Sequence, residues 1–482
     1  MFLISVWRNM LRHSRVILAG ALLVVLLSGC GGPPPIDEYR YGRSSRFAPG
    51  IPSFDIETVP SEPGHPPGLD VYLSVPSTSW TFVKGGEQFR AMSEVDIRLL
   101  GAEGRVILLE NSWSDTTVVP SYAATQRYDP FILVHHINAP PGECEVEVTF
   151  ENLSSRKSEV RRQTIDVPDS ALRSPYIGKA LVEAQTDRGI MLPVVSPHVP
   201  SGLDSLRCVV KLLNLNLAAS SMADLDVVRY RSDTTVATPP YLLTSFDLPL
   251  GYSGVEFEKP DTVLAHSRMI PAGTSEVRLV IGLRGLPPGN YLAAFQMQAS
   301  TGETDSHDTL LRAERFMSMG GPTFPRPSTL PELIEAMVYI ARREEMKLLR
   351  SAPTPEIARA RFDSLWLSFR PDKREAATLI NRYYSRVAEA NRRYTRTKEG
   401  WKTDQGMLYI VLGPPVDVVN SKDQQVWYYD LRGDDASNTY TFQRRIVRNG
   451  SVTLEKYTLY RQPYYENFWN RMVDKWRSGE VF

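Results

Sequence analysis

Cysteine is scarce in this chain of 482 residues, which holds three, at positions 30, 144 and 208. A disulfide framework needs more than that, so packed apolar cores must hold the fold, and 42% hydrophobic residues are enough for about two to four domains. Net charge is lacking too: 55 Lys and Arg balance 55 Asp and Glu, which leaves no global field to gather nucleic acid or an acidic substrate. No H-E-x-x-H, G-x-S-x-G, Walker loop, dinucleotide-binding glycine fingerprint or Cys-x-x-Cys occurs. The sequence therefore nominates no catalytic residue, no metal ligand and no cofactor. What it has in quantity is proline, 36 residues with many in doublets, which predicts many turns and short strands.

The apolar stretch at 16–27 falls well short of the roughly 20 residues that a membrane-spanning helix needs. Arg8, Arg12 and Arg15 precede it, no acid interrupts it, and Leu27-Ser28-Gly29-Cys30 closes it, the order expected of a secretion leader. This segment resembles the lipobox of bacterial lipoproteins. The resemblance implies cleavage before Cys30 and acylation of its thiol and new amine, with Gly31 rather than Asp favouring the outer over the inner membrane. Each buried methylene contributes roughly 0.8 kcal/mol, so two or three acyl chains make a durable anchor. Residues 1–29 are then signal peptide and 30–66 a Pro/Gly/Ser-rich tether, which at about 3.1 Å per residue reaches up to roughly 100 Å from the bilayer. Export also disfavours nucleic acid as a partner.

From Asp70 onward the apolar residues alternate. Val71, Leu73 and Val75 share one face, and Val95, Ile97 and Leu99 lead through Gly101–Gly104 to Val106 and Leu108, a strand, turn and strand. Ala139-Pro140-Pro141-Gly142-Glu143-Cys144 opens another strand, and its grammar returns 147 positions later as Leu286-Pro287-Pro288-Gly289-Asn290-Tyr291. Proline fixes φ in such a turn and glycine supplies φ > 0 before the strand. The arrangement looks like immunoglobulin or fibronectin type III domains, with Cys144 in the place of the core aromatic Tyr291. Two β-sandwiches are expected, at 67–170 and 171–320, with Cys144 and Cys208 buried and separate.

After Ser328 the period becomes helical. Thr329 and Glu332 form a capping box ahead of the stripe Leu330, Leu333, Ile334, Met337, Val338 and Ala341. A second helix starts at Thr354-Pro355-Glu356 and a third at Asp372 with Glu375, giving a three-helix connector over 328–400. Residues 341–400 hold 15 Lys and Arg against 8 Asp and Glu. Arg382, Arg386 and Arg393 share a helix face that either is simply solvated or docks on an anionic lipid or acidic partner.

The run Gly400-Trp401-Lys402-Thr403-Asp404-Gln405-Gly406 leads into Met407–Leu412, then Gly413-Pro414-Pro415, and later Val426-Trp427-Tyr428-Tyr429. These residues closely resemble the GWxTD-domain proteins, a bacterial exported family with no established activity, over roughly 330–482. One departure is Gln405, where arginine is usual. Each motif residue has a folding role: Trp401 as an apolar plate, Thr403 and Asp404 as acceptors pinning a turn into a strand at 407–412, and Gly406 and Gly413 as points of close approach. No second carboxylate or histidine lies at a spacing from Asp404 that would complete a catalytic or metal site.

Adjacent His135 and His136 on a strand face opposite ways and cannot chelate together. The aromatic group Tyr457, Tyr460, Tyr464, Tyr465, Phe468, Trp469 and Trp476 suits core packing under a C-terminal amphipathic helix, or stacking on glycan. The expected architecture is multidomain: two all-β immunoglobulin- or fibronectin-like sandwiches, an α-helical connector, and a small α+β domain at 401–482. The expected function is a non-enzymatic, lipid-anchored envelope scaffold or adaptor for other envelope proteins; the rival is an envelope hydrolase or glycan-processing or glycan-binding protein with a site near the motif.

Overall fold

The computed structural model describes residues 52–61, 68–101, 106–125, 130–169, 176–185, 189–199, 202–213, 220–243, 254–299, 309–430, 438–450 and 452–481. The expected lipobox, Leu27 to Cys30, and most of the expected tether lie outside the described residues.

Alternation at Val71, Leu73 and Val75 places all three on the inner face of Gly68–Pro76, which pairs with Asp55–Pro60 on one side and Pro130–Asn138 on the other. Facing this sheet is a five-stranded one. Its central strand, Gln88–Gly101, pairs antiparallel with Ile107–Val119 and with Gly142–Asn152, which in turn pairs with Lys157–Val167. Val71, Leu73, Val95, Ile97, Leu99, Val146 and Val148 meet between the sheets with no exposure, and Trp80 closes one end edge-on to Phe150 at 5.1 Å. Ile107–Val119 forms as expected, but Val106 and Leu108 face solvent, because this strand lies at the sheet edge.

The second sandwich repeats the plan. Ser205–Leu213 lies between Leu181–Gln185 and Glu276–Gly282 in one sheet. In the other, Gly289–Ala299 lies between Ser221–Ser232 and Thr309–Met319, with Val255–Ile270 on the outside. Leu225, Val227, Ile281, Tyr291 and Phe295 fill its core. Both Pro-Pro-Gly turns enter strands as their grammar predicts, with Gly142 at φ 112° and Gly289 at φ 157°. Tyr291 is fully buried and its hydroxyl donates to the Pro287 carbonyl, while Cys144 takes the equivalent inward place without a hydroxyl to satisfy.

The helical part starts with α1, Leu330–Ala336, held by the expected capping box: the Glu332 carboxylate accepts from Thr329 N at 3.1 Å. The stripe does not continue as one helix to Ala341; a 3-10 turn at Met337–Tyr339 breaks it, and α2, Arg343–Arg350, follows unannounced. Helix α3, Pro355–Phe369, is capped by Thr354, and α4, Lys373–Tyr394, by Asp372, whose carboxylate accepts from Arg374 N and Glu375 N at 2.9 and 3.0 Å. The strand expected at 407–412 is instead a helix, α5, Asp404–Leu412, with the Thr403 hydroxyl accepting from Gly406 N at 3.0 Å as its N-cap. An antiparallel sheet of Asp417–Asn420, Gln424–Tyr428, Thr439–Asn449 and Val452–Leu459 follows, and α6, Glu466–Arg477, ends the unit. One apolar core runs from Ile334 to Val481, so the helical connector and the C-terminal sheet pack as a single body. Among the described residues no helix is long and apolar enough to cross a membrane.

Candidate functional site

The motif turn sits where α4, α5 and the C-terminal sheet converge, and close backbone approach is what its glycines permit. A Cβ on Gly400 would come within 2.0 Å of the Ala390 carbonyl oxygen, and one on Gly406 within 1.9 Å of the Gly400 oxygen. The polar groups are spent on holding that approach. Gly400 N donates to Thr395 Oγ1 at 2.8 Å, Trp401 N to Asn391 Oδ1 at 3.0 Å, and Thr403 Oγ1 to the Gly400 carbonyl at 2.7 Å. Trp401 is buried, and its carbonyl accepts from the Tyr339 hydroxyl at 2.7 Å. Gly413, at φ 93°, ends α5 before Pro414 and Pro415, and its carbonyl accepts from the Tyr429 hydroxyl at 3.0 Å.

Asp404, the first residue of α5, reaches across to the last strand. Its Oδ2 accepts from Leu459 N at 2.9 Å and its Oδ1 from the Arg461 guanidinium at 2.5 Å, the two side chains being 12% and 11% exposed. Arg461 also donates to the Thr238 carbonyl at 3.1 Å, and Ala237 N donates to the Lys402 carbonyl at 3.0 Å. Residues 237 and 238 lie in the connection between Ser221–Ser232 and Val255–Ile270 of the second sandwich. The motif is thus a joint: it fastens helix to sheet and both to the second sandwich.

The basic face of α4 also turns inward. Arg386 donates to the carbonyls of Ile410 and Val411 at the C-terminal end of α5, at 3.1 and 3.4 Å, and stacks over Trp476. Arg393 is held by Glu389 at 2.6 Å and lies over Tyr409, and Arg382 donates to the Val481 carbonyl. Arg386 and Arg393 are thus partly buried and engaged within the same body, while Arg382 remains exposed. Gln405 is buried too. Its amide donates to Gln425 Oε1 at 2.7 Å, which also accepts from Trp427 Nε1 at 2.8 Å, and Gln425 donates on to Asn420 at 2.7 Å.

Beside the joint, the two sandwiches and the C-terminal sheet enclose a cleft of about 440 Å³. No local sequence signal foretold it, since its walls come from positions 55 to 455. Eight cations line it: Arg161, Arg162, Lys179, Arg312, Arg315, Arg396, Arg444 and Arg448. Six have a carboxylate other than Glu57, among them Arg162 with Glu147 at 2.5 Å and Glu145 at 3.7 Å, Arg396 with Asp55 at 3.8 Å and Arg448 with Glu143 at 2.9 Å; Glu147 also pairs with Arg98 at 3.1 Å. Arg161 pairs with Glu159, Arg312 with Glu314 at 2.5 Å, and Arg444 with Glu455. Two of the lining cations, Lys179 and Arg315, share one carboxylate, Glu57, which is 2% exposed. Gln163 Nε2 adds a third bond to the same carboxylate at 3.2 Å. Burial lowers the Lys179 amine to about 8 and the Arg315 guanidinium to about 10, the latter partly offset by Asp55.

The remaining residues singled out in the sequence are not brought together. His135 is buried against Asp115, its Nε2 at 3.2 Å, while His136 on the other face meets Asp70 at 3.1 Å and Ser61 at 3.0 Å. Cys144 and Cys208 are free and buried; burial, with Asp166 and Glu143 adding, raises the first thiol to about 11, and burial alone raises the second to about 12. Tyr465, Trp469 and Trp476 pack in the core, and Tyr464 is exposed. Among the described residues no three His, Cys, Asp or Glu side chains are grouped to hold a metal ion.

Fold and joint together define a multidomain, β-rich protein in which two sandwiches are fastened to a C-terminal α+β body. That body carries the GWxTD domain, whose family model matches residues 304–478. A search of the curated proteins finds no match. Among solved structures, trypsin-activated alpha-2-macroglobulin from Escherichia coli is similar over 57% of this chain at 10% identity and a TM-score of 0.17. The chain spans 17% of that protein's length, and so loose a likeness carries nothing further.

Proposed function

We propose that this protein is a non-enzymatic, lipid-anchored cell-envelope protein, attached through acyl chains on Cys30 to the outer membrane and working as a scaffold or adaptor for other envelope proteins. The observation that carries this reading is the state of Asp404. The acid of the motif is committed to Arg461 and to the Leu459 amide, a brace rather than one half of an acid/base pair. The two sandwiches offer long edges, Ile107–Val119 and Val255–Ile270, of the kind that adaptors use for strand addition.

Two experiments test it. Cys30→Ala should abolish incorporation of radiolabelled palmitate; continued labelling would refute the anchor. Crosslinking in intact cells, followed by identification of the captured chains, should return a reproducible envelope protein. A hydrolase reading gains ground only if Asp404→Asn abolishes a cellular phenotype while leaving the melting temperature unchanged.

A further inference from the structure

We infer that the cleft between the two sandwiches and the C-terminal sheet is a binding site for a small solute bearing an oxyanion, a phosphate or carboxylate group, seated against Lys179. The argument is one of charge and space. Six of the eight lining cations have a carboxylate other than Glu57, but Lys179 and Arg315 divide that one between them, so this corner of the cleft holds one positive charge more than its direct partner cancels. The other lining carboxylate, Asp166, stands exposed at the rim. Pressing two cations on one largely buried carboxylate is costly unless something else supplies the counter-charge.

The two cations are not equivalent. Arg315 is 6% exposed and also donates to the Val194 and Val195 carbonyls at 2.9 and 3.2 Å, which makes it part of the fold. Lys179 is the one with freedom left: 27% of its side chain stays accessible, and it lines the open volume. Ile177, Val195, Phe316 and Ile446 give the same cleft apolar surface for the body of an organic anion. A cleft of about 440 Å³ admits a molecule well beyond a single water cluster. The inference does not depend on the lipid anchor or on the adaptor role.

The purified full chain is titrated calorimetrically with inorganic phosphate and, separately, with citrate, at constant ionic strength. Saturable binding of at least one of them, weakened at least about tenfold in Lys179→Met, is the expected result. Lys179→Met should also melt at the wild-type temperature or above it without added anion, because Glu57 keeps Arg315 and Gln163. Arg312→Gln, a change at a half-exposed position with its own carboxylate, should weaken binding less than Lys179→Met does. The inference is overturned if neither anion binds below about 10 mM, if the Lys179 variant binds as tightly as the wild type, or if that variant melts lower, which would make Lys179 an ordinary structural ion pair. Phosphate binding without citrate, or the reverse, identifies which oxyanion the cleft accepts.

Discussion

Gly406 lies against the carbonyl of Gly400 so closely that a single added methyl carbon would stand 1.9 Å from that oxygen. Backbone atoms, not a flexible side chain, occupy the space, so the first turn of α5 cannot yield without lifting off the turn before it. Gly406→Ala is therefore expected to destabilise by the upper end of the overpacking range, about 3 kcal/mol or more. Gly400→Ala, which meets Ala390 O at 2.0 Å, should behave alike. Chemical denaturation of both variants measures the loss, and a change below about 0.5 kcal/mol would contradict the packing.

Asp404 and Arg461 form a largely dehydrated pair that also holds the Leu459 amide and the Thr238 carbonyl. Removing either partner leaves the other charge stranded. Asp404→Asn and Arg461→Met should each cost about 2–4 kcal/mol, and the double variant much less than their sum, a coupling of at least about 1 kcal/mol in a double-mutant cycle. Additive losses would mean that the two residues act separately.

Thiol chemistry gives a simpler check. With burial raising Cys144 to about 11 and Cys208 to about 12, the reactive thiolate is almost absent at pH 8. Neither should react with Ellman's reagent in the folded chain, and both should react promptly in guanidinium. Fast labelling of native Cys208 would show that its strand opens.

Lys179 links stability to pH in an unusual direction. Its amine titrates near 8 in the fold against an ordinary 10.5, so below about pH 8 both folded and unfolded chains carry the proton and the burial penalty is fully present. Between pH 8 and 10.5 the folded state sheds the proton first, the unfolded chain binds more, and the penalty fades as pH rises. The Lys179→Met variant should hold its largest advantage over the wild type at pH 7, on the order of 2 kcal/mol, and lose most of it by pH 10. Paired denaturation curves across this window isolate the effect, because other titrating groups are common to both chains. An advantage that stays constant would refute the assignment.

Much of the fold was legible because the relevant physics is local. Alternation at Val71 to Val75 and Val95 to Leu99, proline and glycine at 140–142 and 287–289, and caps at Thr329, Thr354 and Asp372 each act within a few residues of themselves. Met407–Leu412 was misread for the same reason that it is stable. It is apolar on every side and buried on nearly every side, so neither the strand nor the helix period shows, and the deciding signal is the single Thr403 cap. Helix α2 offers only Met346 and Leu349 as buried apolar positions, too little for a pattern. The cleft had no chance of being read, since Glu57, Lys179 and Arg315 meet across more than a hundred positions each.

The short strand Asp55–Pro60 is where the described chain begins in earnest, six residues laid along Gly68–Pro76, with Phe54 buried beneath the Arg161 guanidinium just ahead of it. Asp55 and Glu57 on that strand form part of the cleft wall. A pull applied at Pro52 enters the body through this ribbon, and so strains the same carboxylates that hold Lys179, Arg315 and Arg396. Traction and occupancy would then be thermodynamically conjugate: a solute that stiffens the wall raises the force needed to peel the ribbon away, and peeling it away expels the solute.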